Sequence, residues 1–213
     1  MRPKPSVIPM ANDSKRITRE DVAPTVLPDD YLSSEIAHSF SVFHLPRYDE
    51  LPSVELYRDQ VIAFVEQVFR PLDACIEGDW LTPSMVNNYV KLGLVAPPKK
   101  RLYGREQVAR LVVICLFKQV LSISDISRLF RIQKMTYLTE VAYNYVSTEL
   151  DHALHAAFTL DEEAAPDSAS MVTRESLLVR NAVTAFVSKL YLLGYLRFIG
   201  YEEEAEAASD KTR

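Results

Sequence analysis

The segment Thr82-Pro-Ser-Met-Val-Asn-Asn-Tyr-Val-Lys-Leu-Gly-Leu94 decides how the middle of this 213-residue chain folds. Threonine is a preferred helix N-cap, and proline is favoured in the first turn after it. Gly93 lies where a helix commonly ends in the left-handed conformation. The sequence therefore predicts a short helix whose inner face consists of Met85, Val86, Tyr89 and Leu92. Its outward polar face consists of Ser84, Asn87, Asn88 and Lys91.

Helical patterns also dominate the sequence on both sides of this segment. Apolar spacing predicts a helix that starts at a Ser53 cap and stops before Pro71. The Pro97-Pro98 pair makes 96–103 a loop or a small wing, because proline cannot continue a helix. Strand signals are weak and only 5 glycines occur, so the predicted fold class is mostly all-α. Further helices are expected over 106–121, from Ser122 or Ser124 through Phe130, and over about 135–158 and 172–199.

The composition indicates a globular protein with polar ends. With 48% hydrophobic and 25% charged residues, the chain can bury a sizeable core. We expect disorder over 1–28 and an acidic flexible tail over 201–213. Between them we expect N-terminal helices and a connector (29–80), a basic core (81–134) and a C-terminal helical region (135–200).

The sequence lacks the common signatures of enzymes, metal sites and membrane proteins. No glycine-rich nucleotide loop, esterase nucleophile motif or zinc-protease motif is present, and the two cysteines cannot form a metal framework alone. The pair Glu162-Glu163 falls in a polar loop, and His152 with His155 lacks a third metal ligand. Arg180, Asn181, Lys189 and Arg197 interrupt the apolar run 177–199. We expect a cytoplasmic protein that is not an enzyme, with no cofactor, metal or membrane contact.

Charge is distributed unevenly along the chain. Residues 81–134 contain ten Lys or Arg and two acids, a net charge of +8. Because the whole chain carries −5, the remainder carries −13. A basic module inside an acidic protein indicates a local surface for a polyanion. Solvated helix faces would give the same composition.

Three segments in this basic module resemble the DNA-binding module of MerR-type regulators. The 82–94 segment is similar to the recognition helix and its Gly-Leu exit. Arg101-Leu-Tyr-Gly-Arg-Glu-Gln-Val108 is similar to the wing and the start of the next helix, and Val120-Leu-Ser-Ile-Ser-Asp-Ile126 to the turn into the last helix. Over about 45–201 the chain also resembles a bacterial family known as domain of unknown function 1836. That likeness rests on Leu45-Pro-Arg-Tyr-Asp-Glu-Leu-Pro52, Leu56-Tyr-Arg-Asp-Gln-Val61 and the basic module.

The MerR-like resemblance implies a winged helix-turn-helix with a short wing, flanked by helices and followed by a C-terminal bundle. Its function would be transcription regulation through double-stranded DNA. Adjacent helical residues point about 100° apart, so either Asn87 or Asn88, and not both, would read a base edge. Lys91 would contact phosphate. Tyr103 would either bind a phosphate or pack the wing against the domain. The full candidate set is Thr82, Ser84, Asn87, Asn88, Lys91, Lys99, Lys100, Arg101, Tyr103 and Arg105.

Two alternatives remain open. Trp80-Leu81 stands where the MerR-type pattern has a tight Gly-Val turn, the connector 71–80 is long and the wing is short. These differences favour a protein-protein interaction module that keeps the helix-turn-helix fold without reading DNA. A rival helix-turn-helix over 125–137 would place Arg131 at its turn, where glycine is usual.

The C-terminal region is rich in aromatic residues. Such residues suit a bundle core and a dimer interface, and they also suit a pocket for a small apolar effector. The apolar run 172–199 predicts a homodimer, which would match two DNA half-sites. The aromatic residues are Tyr137, Tyr143, Tyr145, Phe158, Phe186, Tyr191, Tyr195 and Phe198.

Overall fold

The computed structural model describes residues 30–159, 168 and 171–199. The predicted disordered segment 1–28, the acidic tail and most of the loop 161–170, including Glu162-Glu163, lie outside these residues. The described chain is mostly helical, as the sequence predicts. Its elements are α1 (Glu35–Ser41), β1 (Leu56–Tyr57), α2 (Arg58–Phe69), α3 (Pro83–Lys91), β2 (Leu102–Tyr103), α4 (Arg105–Phe117), α5 (Ile123–Thr136), α6 (Thr139–Phe158) and α7 (Arg174–Phe198), with short 3-10 turns at Tyr48–Glu50 and Arg70–Cys75.

Helix α2 begins later than the sequence predicts. Leu56 and Tyr57 form strand β1, which pairs antiparallel with Tyr103 and Leu102 of β2. The side chain of Gln60 then caps α2, because its Oε1 accepts the Tyr57 N–H at 2.9 Å. The Ser53 cap was therefore a wrong prediction. The physical reason is the strand partner, which lies far along the sequence and leaves no local signal.

Helix α3 forms at the predicted place with the predicted ends. Thr82 Oγ1 accepts the Met85 N–H at 3.1 Å. At the other end, Gly93 has a φ of +72°. The N–H of the next residue, Leu94, donates to the Tyr89 carbonyl at 3.0 Å. This pattern is a C-terminal capping motif that only a residue tolerant of positive φ allows without strain.

The inner face of α3 differs from the prediction at one residue. Val86 and Tyr89 are buried and Met85 is half-buried. Leu92, in contrast, is 52% exposed. It is the C-cap residue at the end of α3, where helical spacing alone placed it wrongly.

The C-terminal helices and the N-terminal helix share one core. Helices α6 and α7 pack against each other along much of their length, and α1 packs on both. Tyr31, which precedes α1, makes edge-on ring contacts with Tyr191 and Tyr195, at centroid distances of 5.2 and 5.3 Å. Phe158 and Phe198 join the same aromatic cluster. Four of the eight predicted aromatic residues therefore serve packing here.

A buried carboxylate fastens α6 to α7. Glu149 is 2% exposed. Its Oε1 accepts the N–H and the hydroxyl of Ser168 at 2.9 and 2.5 Å, and its Oε2 lies 3.1 Å from Arg180 Nε. His152 Nδ1 lies 3.9 Å from the same carboxylate. Within the described residues, no group of three potential metal ligands occurs.

Helix α7 is long and apolar enough, by length and composition alone, to cross a membrane. Its most apolar stretch has a mean hydropathy of 1.3, and a third of that stretch is buried inside the protein. Core helices of soluble proteins meet the same criteria. Two cations of α7 are engaged within the fold: Lys189 Nζ donates to the Gln119 carbonyl at 3.1 Å, and Arg197 donates to the Ala74 carbonyl.

Candidate nucleic-acid interface

The polar side of α3 forms a continuous exposed face. Ser84, Asn87, Asn88 and Lys91 are all exposed, and their spacing places them on one side of the helix. Asparagine and lysine present hydrogen-bond donors, and asparagine also accepts, as base edges require. Thr82 is half-buried, and its hydroxyl is already used by the helix cap. Helix α3 therefore offers three to four polar side chains to a partner.

The unusual connector before α3 is rigidly held. Trp80 stacks on Phe69, with ring centroids 4.2 Å apart and planes 14° from parallel. The Trp80 indole N–H donates to Asp73 Oδ1 at 2.7 Å. Lys118 Nζ donates to the Trp80 carbonyl at 2.6 Å. Burial lowers the pKa of Lys118, because the protein interior disfavours the charged form of the ammonium group. The place of a glycine turn is thus taken by a tryptophan that these three contacts hold in position.

The wing is a two-residue hairpin that presents three exposed cations. Lys99 and Leu102 exchange backbone hydrogen bonds of 3.1 and 2.8 Å across the turn. Lys100 and Arg101 occupy the turn with φ values of +50° and +69°. Such turns favour Asn-Gly, because the left-handed region costs other residues about 1–2 kcal/mol each. Lys99, Lys100 and Arg101 are all exposed.

Gln107 ties the wing to α4, a role that the sequence analysis missed. Its Oε1 accepts the Gly104 N–H at 2.7 Å, and its Nε2 donates to the carbonyls of Ala96 and Pro97 at 2.8 and 3.1 Å. The available signal was a glutamine three residues after Gly104, the spacing between an N-cap and the second residue of a capping box. The wing is therefore anchored at its base while its charged turn stays exposed.

Two candidate residues lie in packed surroundings. Tyr103 is 4% exposed in β2, and burial raises the pKa of its hydroxyl. Of its two predicted roles, the structure shows the packing of the wing. Arg105 is half-buried, with its guanidinium carbon 5.8 Å from the ring centroid of Tyr48. Its Nε is buried without a hydrogen-bond partner among the described residues.

A second basic surface lies on α5. Arg128, Arg131 and Lys134 are exposed there, and Arg128 pairs with Asp125 at 3.2 Å. The helix runs unbroken through Arg131 to Thr136. The rival helix-turn-helix over 125–137 is therefore wrong, because no turn interrupts the backbone at Arg131. This face carries three exposed cations, the same number as the wing.

Two acidic residues of α6, Glu149 and Asp151, are used in internal contacts. Asp151 Oδ2 pairs with Arg47 Nη2 at 2.6 Å. Burial raises the pKa of Asp151, while Arg47 acts in the opposite direction. Glu149 is enclosed between α6 and α7. These carboxylates therefore do not cover the polar face of α3.

Comparison with known proteins finds a family match over part of the chain. Residues 46–147, slightly less than half of the sequence, match the family model described as Domain of unknown function (DUF1836). The match confirms the resemblance to that family over this range, and the family's description carries no activity. No curated protein and no solved structure matches the chain.

Proposed function

We propose that the chain is a DNA-binding transcriptional regulator of MerR-like type, which contacts double-stranded DNA through α3 and the wing. The order of elements supports the proposal: α3, the Gly93-Leu94 exit, the hairpin wing, and the α4–α5 pair follow one another as in that module. The function rests on geometry and charge, since fold resemblance alone does not establish function.

The observation that carries the proposal is the Lys100-Arg101 turn. Two cationic residues occupy backbone conformations in which asparagine and glycine would be less strained. Strain of this kind persists where a side chain is needed at that place. Exposed, rigidly presented cations suit phosphate contacts or a narrow minor groove.

The face of α3 supplies the specific part of the interaction. A single helix fits the major groove, and asparagine can bond adenine through two hydrogen bonds. Asn87 and Asn88 are exposed beside Lys91. Thr82 keeps the first turn of the helix ordered through its cap. One of the two asparagines reads a base edge, and Ser84 and Lys91 contact the DNA backbone.

The test measures equilibrium binding of the full chain to its own upstream DNA and to random DNA across salt concentrations. The variants are Lys99→Ala/Lys100→Ala/Arg101→Ala on the wing and Asn87→Ala/Asn88→Ala on α3. The wing variant should flatten the log–log salt slope by about 0.9 for each lost phosphate contact. The asparagine variant should keep the slope and lose about 1–3 kcal/mol of preference for upstream DNA.

A matched control removes the same charge from another surface. Arg128→Ala/Arg131→Ala/Lys134→Ala carries the same charge change on α5 and should retain the salt slope of the parent protein. Equal losses in the two triple variants would show only nonspecific attraction to a basic protein. Absence of binding at about 50 mM salt, where nonspecific contacts are strong, would overturn the proposal and favour the protein-interaction module.

A further inference from the structure

A large cavity lies outside the proposed DNA surface, between α4, α5, α6 and the start of α7. Its volume is about 620 Å³, within the usual range for small-molecule sites. Tyr137, Tyr143 and Tyr145, three of the aromatic residues singled out in the sequence, line it. Hydrocarbon and aromatic groups make up most of the wall, including Val113, Phe117, Leu129, Phe130 and Val179.

The cavity wall is built by all four helices. Tyr137, just after α5, and Thr173, the cap of α7, lie with their hydroxyl oxygens 3.4 Å apart. Tyr145 of α6 donates to the Ser176 carbonyl of α7 at 3.3 Å. These contacts connect the walls at the protein surface. The space between them is a defined site that is continuous with the core.

Arg110 of α4 is the one cationic side chain in the described lining. Its side chain is 14% exposed. Nη2 reaches Gln133 Oε1 at 3.3 Å and Thr139 Oγ1 at 3.4 Å, and Nε lies 3.5 Å from Glu106 Oε1. Each distance exceeds the 2.7–2.9 Å typical of a charge-assisted hydrogen bond. The guanidinium N–H groups can therefore form shorter hydrogen bonds with a stronger acceptor.

Tyr143 contributes its ring to the lining, because its hydroxyl is enclosed by the protein and leaves no surface for a ligand. The side chain is buried, and the hydroxyl has no hydrogen-bond partner among the described residues. Burial raises the pKa of this hydroxyl above its ordinary value, so it is neutral.

The position of Arg110 in the lining favours an anionic headgroup. Glu175 is the acid in the described lining, and it lies in the first turn of α7, where the helix dipole already stabilises negative charge. The carboxylate beside Arg110 is that of Glu106, at 3.5 Å, and the Glu106 side chain is 61% exposed. A long contact to a solvated carboxylate contributes little. A carboxylate can instead accept two parallel hydrogen bonds from the guanidinium.

We propose that this cavity binds an amphipathic carboxylate, with its hydrocarbon part against the apolar wall and its carboxylate on Arg110. This assigns a chemical class to the apolar effector expected from the aromatic residues. The site does not depend on DNA binding, because none of its lining residues belongs to the exposed face of α3 or the wing.

Calorimetric titration of the full chain with three probes tests the proposal. Decanoate, decan-1-ol and decyltrimethylammonium share one chain and differ in headgroup charge. Decanoate should bind at least about ten-fold more tightly than decan-1-ol, as expected for hydrogen bonds to a charged group, and the cation should bind most weakly. Equal affinity for the three probes, or no binding up to about 1 mM decanoate, would overturn the assignment.

Variants locate the headgroup. Arg110→Met should remove the preference for decanoate and leave decan-1-ol binding within about two-fold, since the charge-assisted bonds alone are lost. Arg110→Lys keeps the charge without the planar fork of the guanidinium, so it should bind decanoate with an intermediate affinity. This variant tests the proposal even if Arg110→Met fails to fold. Arg128→Met, on the exposed side of α5, is the matched control. Equal effects of Arg110→Met and Arg128→Met would place the anion elsewhere.

Discussion

Lys100 and Arg101 carry charge and backbone strain at the same two positions. Both have positive φ in the hairpin that links Lys99 to Leu102. The hydrogen bonds across the turn and the Gln107 clamp at its base hold this conformation. Asparagine and glycine suit this turn best, but they carry no charge. The two cations therefore lower the stability of the turn and add the positive charge that we propose contacts DNA.

Replacing the turn by Lys100→Asn/Arg101→Gly should stabilise the protein and weaken DNA binding. Relief of the left-handed strain is worth about 1–2 kcal/mol per residue, partly offset by the greater flexibility of glycine in the unfolded chain. We expect a net gain of about 1 kcal/mol in the free energy of unfolding, measured by urea titration.

Lys100→Gln/Arg101→Gln is the control for this prediction. It removes the same charges and keeps the strained backbone, so it should weaken DNA binding without the gain in stability. If the two double variants unfold at the same urea concentration, the turn is not strained as the φ values indicate.

One small residue, Gly194, allows close contact between α1 and α7. Gly194 lies inside α7, where glycine ordinarily costs about 1 kcal/mol relative to alanine. A Cβ built there would lie 2.8 Å from Phe40 Cε2 and would also overlap the Tyr31 hydroxyl. The missing side chain thus lets the N-terminal segment approach the C-terminal helix.

Gly194→Ala should therefore destabilise the protein although it improves helix propensity. Overpacking costs about 1–3 kcal/mol, which exceeds the propensity gain of about 1 kcal/mol when α1 cannot shift. The free energy of unfolding from urea titration measures the net change. Ser188→Ala, on the exposed face of α7, should change it by less than about 0.5 kcal/mol. A Gly194→Ala protein as stable as its parent would contradict the close packing of α1.

At the scale of the whole molecule, α7 carries exposed leucines that no described element covers. Leu192 and Leu196 are 62% and 42% exposed, and Leu177 lies on the same side. Apolar surface of this kind often marks an interface between proteins. A second copy would cover it and would present two α3 faces to two half-sites on DNA.

Sedimentation should therefore show a dimer at tens of micromolar protein. Leu192→Glu places a charge on the proposed interface and should shift the population to monomer. Val54→Glu is the matched control, since Val54 is 66% exposed and lies far along the chain from α7. A parent protein that sediments as a monomer, or equal behaviour of the two variants, would contradict dimerisation through α7.

Much of the helical framework could be predicted from short-range chemistry. The caps of α3 and α5, at Thr82 and Ser122, and the Gly93 exit depend only on residues within one helical turn. Such signals are complete within a few residues of sequence. The exposed set on α3 followed from helical spacing for the same reason. Whether these residues bind DNA stays a prediction.

The sequence by itself thus determined the helix positions, the basic module and the exposed polar face of α3. Only the tertiary structure decided that Leu56 and Tyr57 form a strand and that Lys118 closes the connector. It also decided that Arg110 lines an apolar cavity. Each of these features joins residues distant in the chain, so its energy arises only when separate elements meet, and no local pattern records it.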